Sequence, residues 1–261
     1  RIISVVDPDA RIAHKRRGVR KRGYKNHIIV DEDSEIILSS IETPFNVPDQ
    51  KKLEDLIEKV EKDYDLKPEE ISADKVYSSI NNRVYLKDKK IKGNIMFYDF
   101  SGKEQKIYDP SLFEVSEDLT SAICPNKCHT KDFKIIAEGT KVSIKFSEKD
   151  CCNCPLREAC ISRSSLKKKR IRKILTIPIR YDAIMEAIKI NKTEGFIEAI
   201  NKRYIVERRF ATLVRNHGLR LSRYYRLKGA SIHIKMANMA CNIIRMVRLL
   251  TIRNHLGEVV P

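Results

Sequence analysis

No apolar run in the chain reaches the roughly 18 residues that crossing a bilayer requires, and the opening Arg1-Ile2-Ile3-Ser4 lacks the pattern of a secretory signal. Both absences give the expectation of a cytoplasmic protein with no membrane partner. An initiator Met is missing too: the chain opens on a strand-like Ile-Ile-Ser-Val-Val, as the later part of something longer would. Acid is absent from whole stretches. From Ala10 to Val30 there are eight Lys or Arg and no Asp or Glu, and between Asn201 and Gly257 the single acid, Glu207, stands among thirteen Lys or Arg. Cysteine is nearly absent outside one segment, since six of the seven fall between Cys124 and Cys160 and only Cys241 lies elsewhere. That bunching argues against a disulfide framework and for metal binding. No internal repeat or low-complexity segment is present.

What the chain does have is length, core and positive charge. Its 261 residues, 42% of them hydrophobic, suffice for one large domain or two ordinary ones. Lys and Arg outnumber Asp and Glu by 52 to 35, a net charge of +17. Such a balance implies an extended polyanionic partner, nucleic acid before a membrane surface.

Along the chain, residues 1 to 10 read as a short strand closing in Asp7-Pro8-Asp9. The basic run from His14 to Arg22 reads as a loop or arm, either a solvated linker or a phosphate contact. Tyr24 to Val30 and Ile36 to Ile41 are β-branched runs around a polar turn, which predicts a hairpin. Pro48 and Asp49 then open a helix whose Leu53, Leu56, Ile57 and Val60 share one face. Ile71-Ser72-Ala73 is a short strand that ends in a carboxylate, Asp74. From about Ile91 to Ile179 short strands dominate, with Val142, Ile144 and Phe146 alternating, as in an inserted β-rich module. Helices return at Tyr181 to Ile190 and at about Thr193 to Arg215. A last helix aligns Met236, Met239, Ala240, Ile243, Val247 and Leu250 on a stripe expected to fill the core, its methionines as filler. The resulting division is 1–90, 91–175 and 176–261.

Two constellations carry chemistry. Cys151-x2-Cys154 followed by Cys160, with Cys124 upstream, supplies four thiolates from two separated loops, the set that tetrahedral Zn²⁺ requires. Cys128, His129 and Cys152 are spare candidates. Four protein ligands leave no open position, so this zinc would be structural. The second constellation pairs strand-end Asp74 with helical Glu207 at the margin of a buried stripe. Two such carboxylates with a third can hold paired Mg²⁺ ions for phosphodiester displacement. A surface ion pair for Glu207 and a turn or helix cap for Asp74 are the structural alternatives.

The strings Asp7-Pro8-Asp9-Ala10-Arg11, Gly23-Tyr24-Lys25, Val30-Asp31-Glu32, Ala73-Asp74-Lys75-Val76-Tyr77-Ser78 and Arg203-x3-Glu207, then Phe210 and Gly218-Leu219-Arg220, together resemble a bacterial insertion-sequence DDE transposase. Cys151-x2-Cys154-Pro155-x-Arg157-x2-Cys160 belongs to the same likeness, which extends over nearly the whole chain as the C-terminal two-thirds of such a protein. The resemblance implies an α/β, RNase H-like mixed sheet flanked by helices, with a small β-rich zinc-binding insertion. It implies Mg²⁺ (or Mn²⁺)-dependent cleavage and strand transfer on double-stranded DNA at transposon ends, by a homodimer in the DNA complex, at the bacterial nucleoid. Asp74 matches the second acid, Glu207 the last, and Arg203 the arginine one turn before it. Arg16, Arg17, Arg20, Arg203, Arg208 and Arg215 would track phosphates. Ile200 stands where the family often has Tyr, Val214 where it has Lys, with Arg215 beside it, and Val76 where glycine is common. A DGT-like first acid is absent, and Asp7 is the nearby substitute. Two other readings stay open: a non-catalytic zinc-containing DNA-binding remnant of a mobile element, and an RNase H-like nuclease without strand transfer.

Overall fold

Ile28 and Val30 on one strand pack toward the C-terminal helices while Ile29 between them packs toward an earlier helix, so period-two alternation here serves two buried faces at once. That strand belongs to a computed structural model describing residues 4–16, 19–96, 108, 112–167 and 170–257. Along the chain come β1 (Arg11–Arg16), β2 (Val19–Val30), β3 (Ile37–Pro44), α1 (Leu53–Tyr64), β4 (Glu70–Ala73), α2 (Ile80–Asp88) and β5 (Lys92–Ile95). Next are β6 (Glu114–Val115), β7 (Ala122–Ile123), β8 (His129–Thr130), β9 (Asp132–Ile136) and β10 (Lys141–Lys145). The short helices α3 (Glu148–Cys152), α4 (Arg157–Cys160) and α5 (Arg163–Leu166) precede β11 (Ile174–Pro178). Last come α6 (Tyr181–Ile190), α7 (Glu194–Asn201), α8 (Tyr204–Asn216) and α9 (Arg226–Gly257). The fold is therefore mixed α/β, and no helix among the described residues is long and apolar enough to cross a membrane.

Contacts divide the chain into two units, residues 1–96 with 190–261, and residues 97–189. In the first, β1, β2 and β3 form an antiparallel sheet and β4 and β5 a parallel pair. Leu53, Leu56, Ile57 and Val60 of α1 are all buried, as their spacing predicts. Leu53 and Ile57 share a cluster with Leu86, Ile91 and Ile95, and Ile29, Ile71 and Ala73 pack against it. The opposite cluster joins Ile37 to Leu213 of α8 and to Ala237 and Cys241 of α9.

The basic run is not an arm. Arg11 pairs with Gly23 and His14 with Arg20 in a two-stranded ladder, after which β2 changes partner and Tyr24 pairs with Pro44 of β3. Gly23 sits at the change of partner with φ +121°, a backbone state strained for any side chain. The expected opening strand is also absent among residues 4–10, which form a turn. Its acids have structural work. Asp7 accepts hydrogen bonds from the Tyr24 hydroxyl and from the backbone N–H of Arg226 at 2.9 Å, and Asp9 accepts from Leu227 N–H at 3.0 Å. Together they satisfy orphan donors at the start of α9, and burial and Asp7 push the Tyr24 hydroxyl pKa upward.

The helix expected from Thr193 to Arg215 is broken at Lys202 and Arg203 into α7 and α8. The buried face of α8 accordingly runs through Ile205, Arg209 and Leu213. The last helix also differs from expectation. Ala230, Ile234, Ala237 and Cys241 face the core, whereas Met236, Met239, Ile243, Val247 and Leu250 are exposed. Small residues let α9 approach the hairpin closely enough for polar clamps. Asn242 accepts from Ile37 N–H at 2.9 Å and donates to its carbonyl at 2.8 Å, and Ser231 donates to Glu42 at 2.8 Å.

The second unit contains two antiparallel sheets, ordered β6-β7-β8 and β11-β10-β9. Val142, Ile144 and Phe146 are buried with Phe113, Leu175 and Ile177, and Cys124, Cys151 and Cys160 pack against this cluster.

Candidate functional site

Strand β4 delivers Asp74 to the surface at its C-terminal end. The Asp74 carboxylate accepts the Lys75 backbone N–H at 2.6 Å, which caps the 3-10 turn Lys75–Tyr77. Beyond the turn, Tyr77 lies half-buried with its hydroxyl pushed up to about 12 by burial, then by Asp49 and Asp74. Ser79 accepts from Asn82 N–H and starts α2.

On the other side, α7 packs on β4 and β5, and the break after it places Arg203 beside the strand end. Its Nη2 stands 3.7 Å from Asp74 Oδ1. One helical turn later, Glu207 is exposed and makes no hydrogen bond or ion pair among the described residues. The ion-pair alternative for Glu207 therefore has no partner here. Arginines on the same helix pair elsewhere: Arg208 with Glu35, and Arg209 with Glu35 at 2.9 Å. Arg245 of α9 adds a third cation at 3.4 Å, so buried Glu35 fixes α8 and α9 to the β2–β3 turn. Sequence reasoning missed Glu35, whose only signal was a shortage of acids near three arginines.

The expected phosphate-tracking residues fall in different settings. Arg203 and Arg208 carry the pairings above, while Arg215 is exposed in the last turn of α8 with no partner among the described residues. Arg16 and Arg20 lie on β1 and β2, and Arg17 lies outside the described residues.

In the second unit one cavity is lined by Cys124, Cys128, Cys151, Cys154 and Cys160. Two local folds hold them there. Cys124 N–H donates to the Cys128 carbonyl at 2.9 Å, while Lys173 N–H donates to Cys151 Sγ at 3.4 Å. Cys128 thus joins the four expected ligands. Cys152 is exposed and its thiol donates to the Ile171 carbonyl at 3.8 Å; neither it nor His129 lines the cavity. Burial raises the pKa of the Cys128, Cys151 and Cys160 thiols. Among the described residues no three His, Cys, Asp or Glu side chains are arranged to hold a metal ion, so the zinc expectation has no support from the side-chain positions.

In comparisons with known proteins, residues 123–247 match the family model described as the transposase DDE domain. The matched stretch, just under half of the chain, includes the cysteine cavity, Arg203 and Glu207 and most of α9, and excludes Asp74. The resemblance to a DDE transposase read from the sequence is shown by that match. No curated protein and no solved structure matches the chain.

Proposed function

We propose that this chain is the later part of an RNase H-like DDE transposase catalytic region, which cleaves phosphodiester bonds at transposon ends and transfers the strand with Mg²⁺ or Mn²⁺. The observation that carries the reading is the Arg203–Asp74 contact of 3.7 Å. It joins a strand end to the helix on which Glu207 stands exposed and unpaired among the described residues.

The donor chemistry fits a hard cation: two carboxylates, of which Asp74 has a side chain 52% exposed. Mg²⁺ is commonly held by one or two carboxylates together with substrate phosphate oxygens. Asp74 and Glu207 would be its ligands, and the bound metal would activate a water or 3′-hydroxyl and stabilise the leaving oxygen. Arg203 would bind the phosphate between them, exchanging its long contact with Asp74 for a shorter charge-assisted one. Exposed Arg215 would contact flanking phosphates, which position the duplex without reading its sequence.

The first acid would lie on a strand upstream of this chain. In support, β2 from Tyr24 to Val30 and β4 share the core beneath α1 but do not pair with each other. An unpaired strand edge is a template for a further strand, and one strand between β2 and β4 would join the two sheets.

In the second unit, four of the five cavity thiols would be the ligands of a structural Zn²⁺, whose binding requires their deprotonation and their rearrangement from the positions described here. A non-catalytic DNA-binding remnant is the second reading, favoured by the capping role of Asp74. Strand nicking by the full-length protein in Mg²⁺ or Mn²⁺, compared with Glu207→Gln, separates the two. Nicking that the variant abolishes supports catalysis, and equal inactivity of both sinks it. Detection of joined products distinguishes transfer from hydrolysis alone.

A further inference from the structure

Where α8 gives way to α9, the chain runs through seven consecutive exposed residues, Arg220 to Arg226. From Gly218 to Gly229 there are four Lys or Arg and no acid. The side chains of Arg220, Arg223 and Arg226 make no hydrogen bond or ion pair among the described residues. Between these cations stand two tyrosines, Tyr224 52% and Tyr225 68% exposed. The segment is nevertheless fastened at both ends. Gly218, at φ +68°, turns the chain so that Leu219 N–H donates to the Leu213 carbonyl at 3.2 Å. The Ser222 hydroxyl donates to the Tyr224 carbonyl at 2.7 Å, and the Tyr224 ring meets His233 edge-on at 6.0 Å. Beyond them, Asp7 accepts the Arg226 N–H. Two local costs are carried to hold this shape. Arg226 has φ +60°, a state strained for a residue with a side chain. Gly229 stands in the first turn of α9, where glycine weakens a helix, and a Cβ there would lie 2.8 Å from Tyr224 Cβ. Gly229 is thus the seat of Tyr224.

We propose that the segment from Arg220 to Lys228 holds an unpaired DNA strand, with Tyr225 stacked on a base and Arg220, Arg223 and Arg226 on the phosphates beside it. Phosphate contact alone asks only for cations. An exposed ring adds to it when a base offers its face, and bases inside a duplex have both faces stacked. Cations interleaved with aromatic rings are the composition of single-strand binding surfaces. The backbone does not supply the anion contact, because Asp7 and Asp9 already take the N–H groups of Arg226 and Leu227; the free guanidinium groups are what remain. Position supports the same reading. Glu207 lies in the first turn of α8, which ends at Asn216, about 14 Å further along the helix axis. That span is about four nucleotides of a stacked strand, so a strand with a phosphate at Glu207 can reach the tyrosines. The inference rests on the proposed function for its choice of DNA.

Its test reads binding and not chemistry. Fluorescence anisotropy without Mg²⁺ compares three labelled probes on the full-length protein: a single strand, the blunt duplex of the same sequence, and that duplex with a single-stranded tail. The tail should tighten binding over the blunt duplex by about tenfold or more, the worth of one base stacked on an aromatic ring. Tyr225→Ala should remove that gain and leave blunt-duplex affinity unchanged, whereas Tyr225→Phe, which keeps the ring, should retain it. Arg223→Ala should weaken the tailed probe and lower its salt dependence by about one phosphate contact. Equal affinity for blunt and tailed probes overturns the proposal. So does a tail gain that survives Tyr225→Ala, the outcome if the segment serves a protein partner instead, and so does a gain lost in Tyr225→Phe, which would assign it to the hydroxyl. Loss of helical circular dichroism in Tyr225→Ala also overturns it, because the ring would then be part of the fold. Nicking by a protein that binds all three probes alike removes this inference and leaves the transposase reading standing; selective tail binding by a protein that never nicks does the reverse.

Discussion

The Arg203 guanidinium stands 3.7 Å from the Asp74 carboxylate, so the end of β4 and the start of α8 meet at one ion pair. Asp74 has two separable tasks there: it caps a turn through the Lys75 N–H, and it presents a negative charge to Arg203. Asp74→Asn keeps an oxygen for the cap and removes the charge. Its unfolding midpoint in urea should match the wild type, while nicking should fall by about 10²-fold or more, the scale of a lost charge at a reacting centre. Asp74→Ala should lose the cap as well, at about 1 kcal/mol. Wild-type nicking by Asp74→Asn would assign this carboxylate to the turn alone.

Glu35 predicts a different response, one of stability. Its side chain is 10% exposed and faces Arg209, itself 8% exposed. Glu35→Gln leaves that guanidinium buried without a counter-charge, which costs about 3 to 5 kcal/mol when one member of a buried pair is removed. Arg208→Ala removes a partner that is half-exposed and should cost less than about 1 kcal/mol. Urea unfolding of the two variants checks the contrast. Equal effects would mean that Arg209 finds another acceptor.

Much of this arrangement was legible because single elements obey local rules. The α1 stripe, the Tyr24–Val30 hairpin arm and the strand ending at Asp74 all stand where their spacing puts them. Other parts depended on choices that no local pattern records. Along α9 both faces are apolar, and the one that docks is the one with Ala230, Ala237 and Cys241, small enough to bring Asn238 and Asn242 within reach of the hairpin. Lysine is somewhat depleted in strands and a dense run of like charge reads as solvated chain, yet the basic run is strand because Val19 to Gly23 pairs back on Arg11 to Arg16. Asp7 and Asp9 became helix caps through contacts with Arg226 and Leu227, more than two hundred positions away in sequence.

For the cysteines, metal analysis of the purified protein should find about one zinc per chain. Cys128→Ser and Cys151→Ser should each lower zinc content and destabilise the second unit, because structural zinc contributes its binding energy to folding. Cys152→Ser should match the wild type, since that thiol is turned toward the Ile171 carbonyl and away from the cavity. Full zinc content in Cys128→Ser would exclude Cys128 from the ligand set.

His27 gives the pH dependence a sign. Its Nε2 lies 2.8 Å from Thr43 Oγ1 and its Nδ1 3.6 Å from Asp49. Burial lowers its pKa below the ordinary 6.5 and outweighs the opposing pull of Asp49, so the folded protein favours the neutral ring. A ring with its proton on Nδ1 suits both neighbours, donating toward the carboxylate and accepting from the hydroxyl. The unfolded chain then binds more protons than the folded one near pH 6, and stability rises with pH there. The contribution is fully present above pH 6.5 and is lost as the pH falls through that value toward the lower folded pKa. The thermal midpoint should drop between pH 7.5 and pH 5.5, above the range in which ordinary carboxylates titrate. His27→Gln, which keeps a donor and an acceptor without a titrating group, should flatten that slope even if its midpoint is lower throughout. An unchanged slope in the variant would show that the acid sensitivity belongs to other groups.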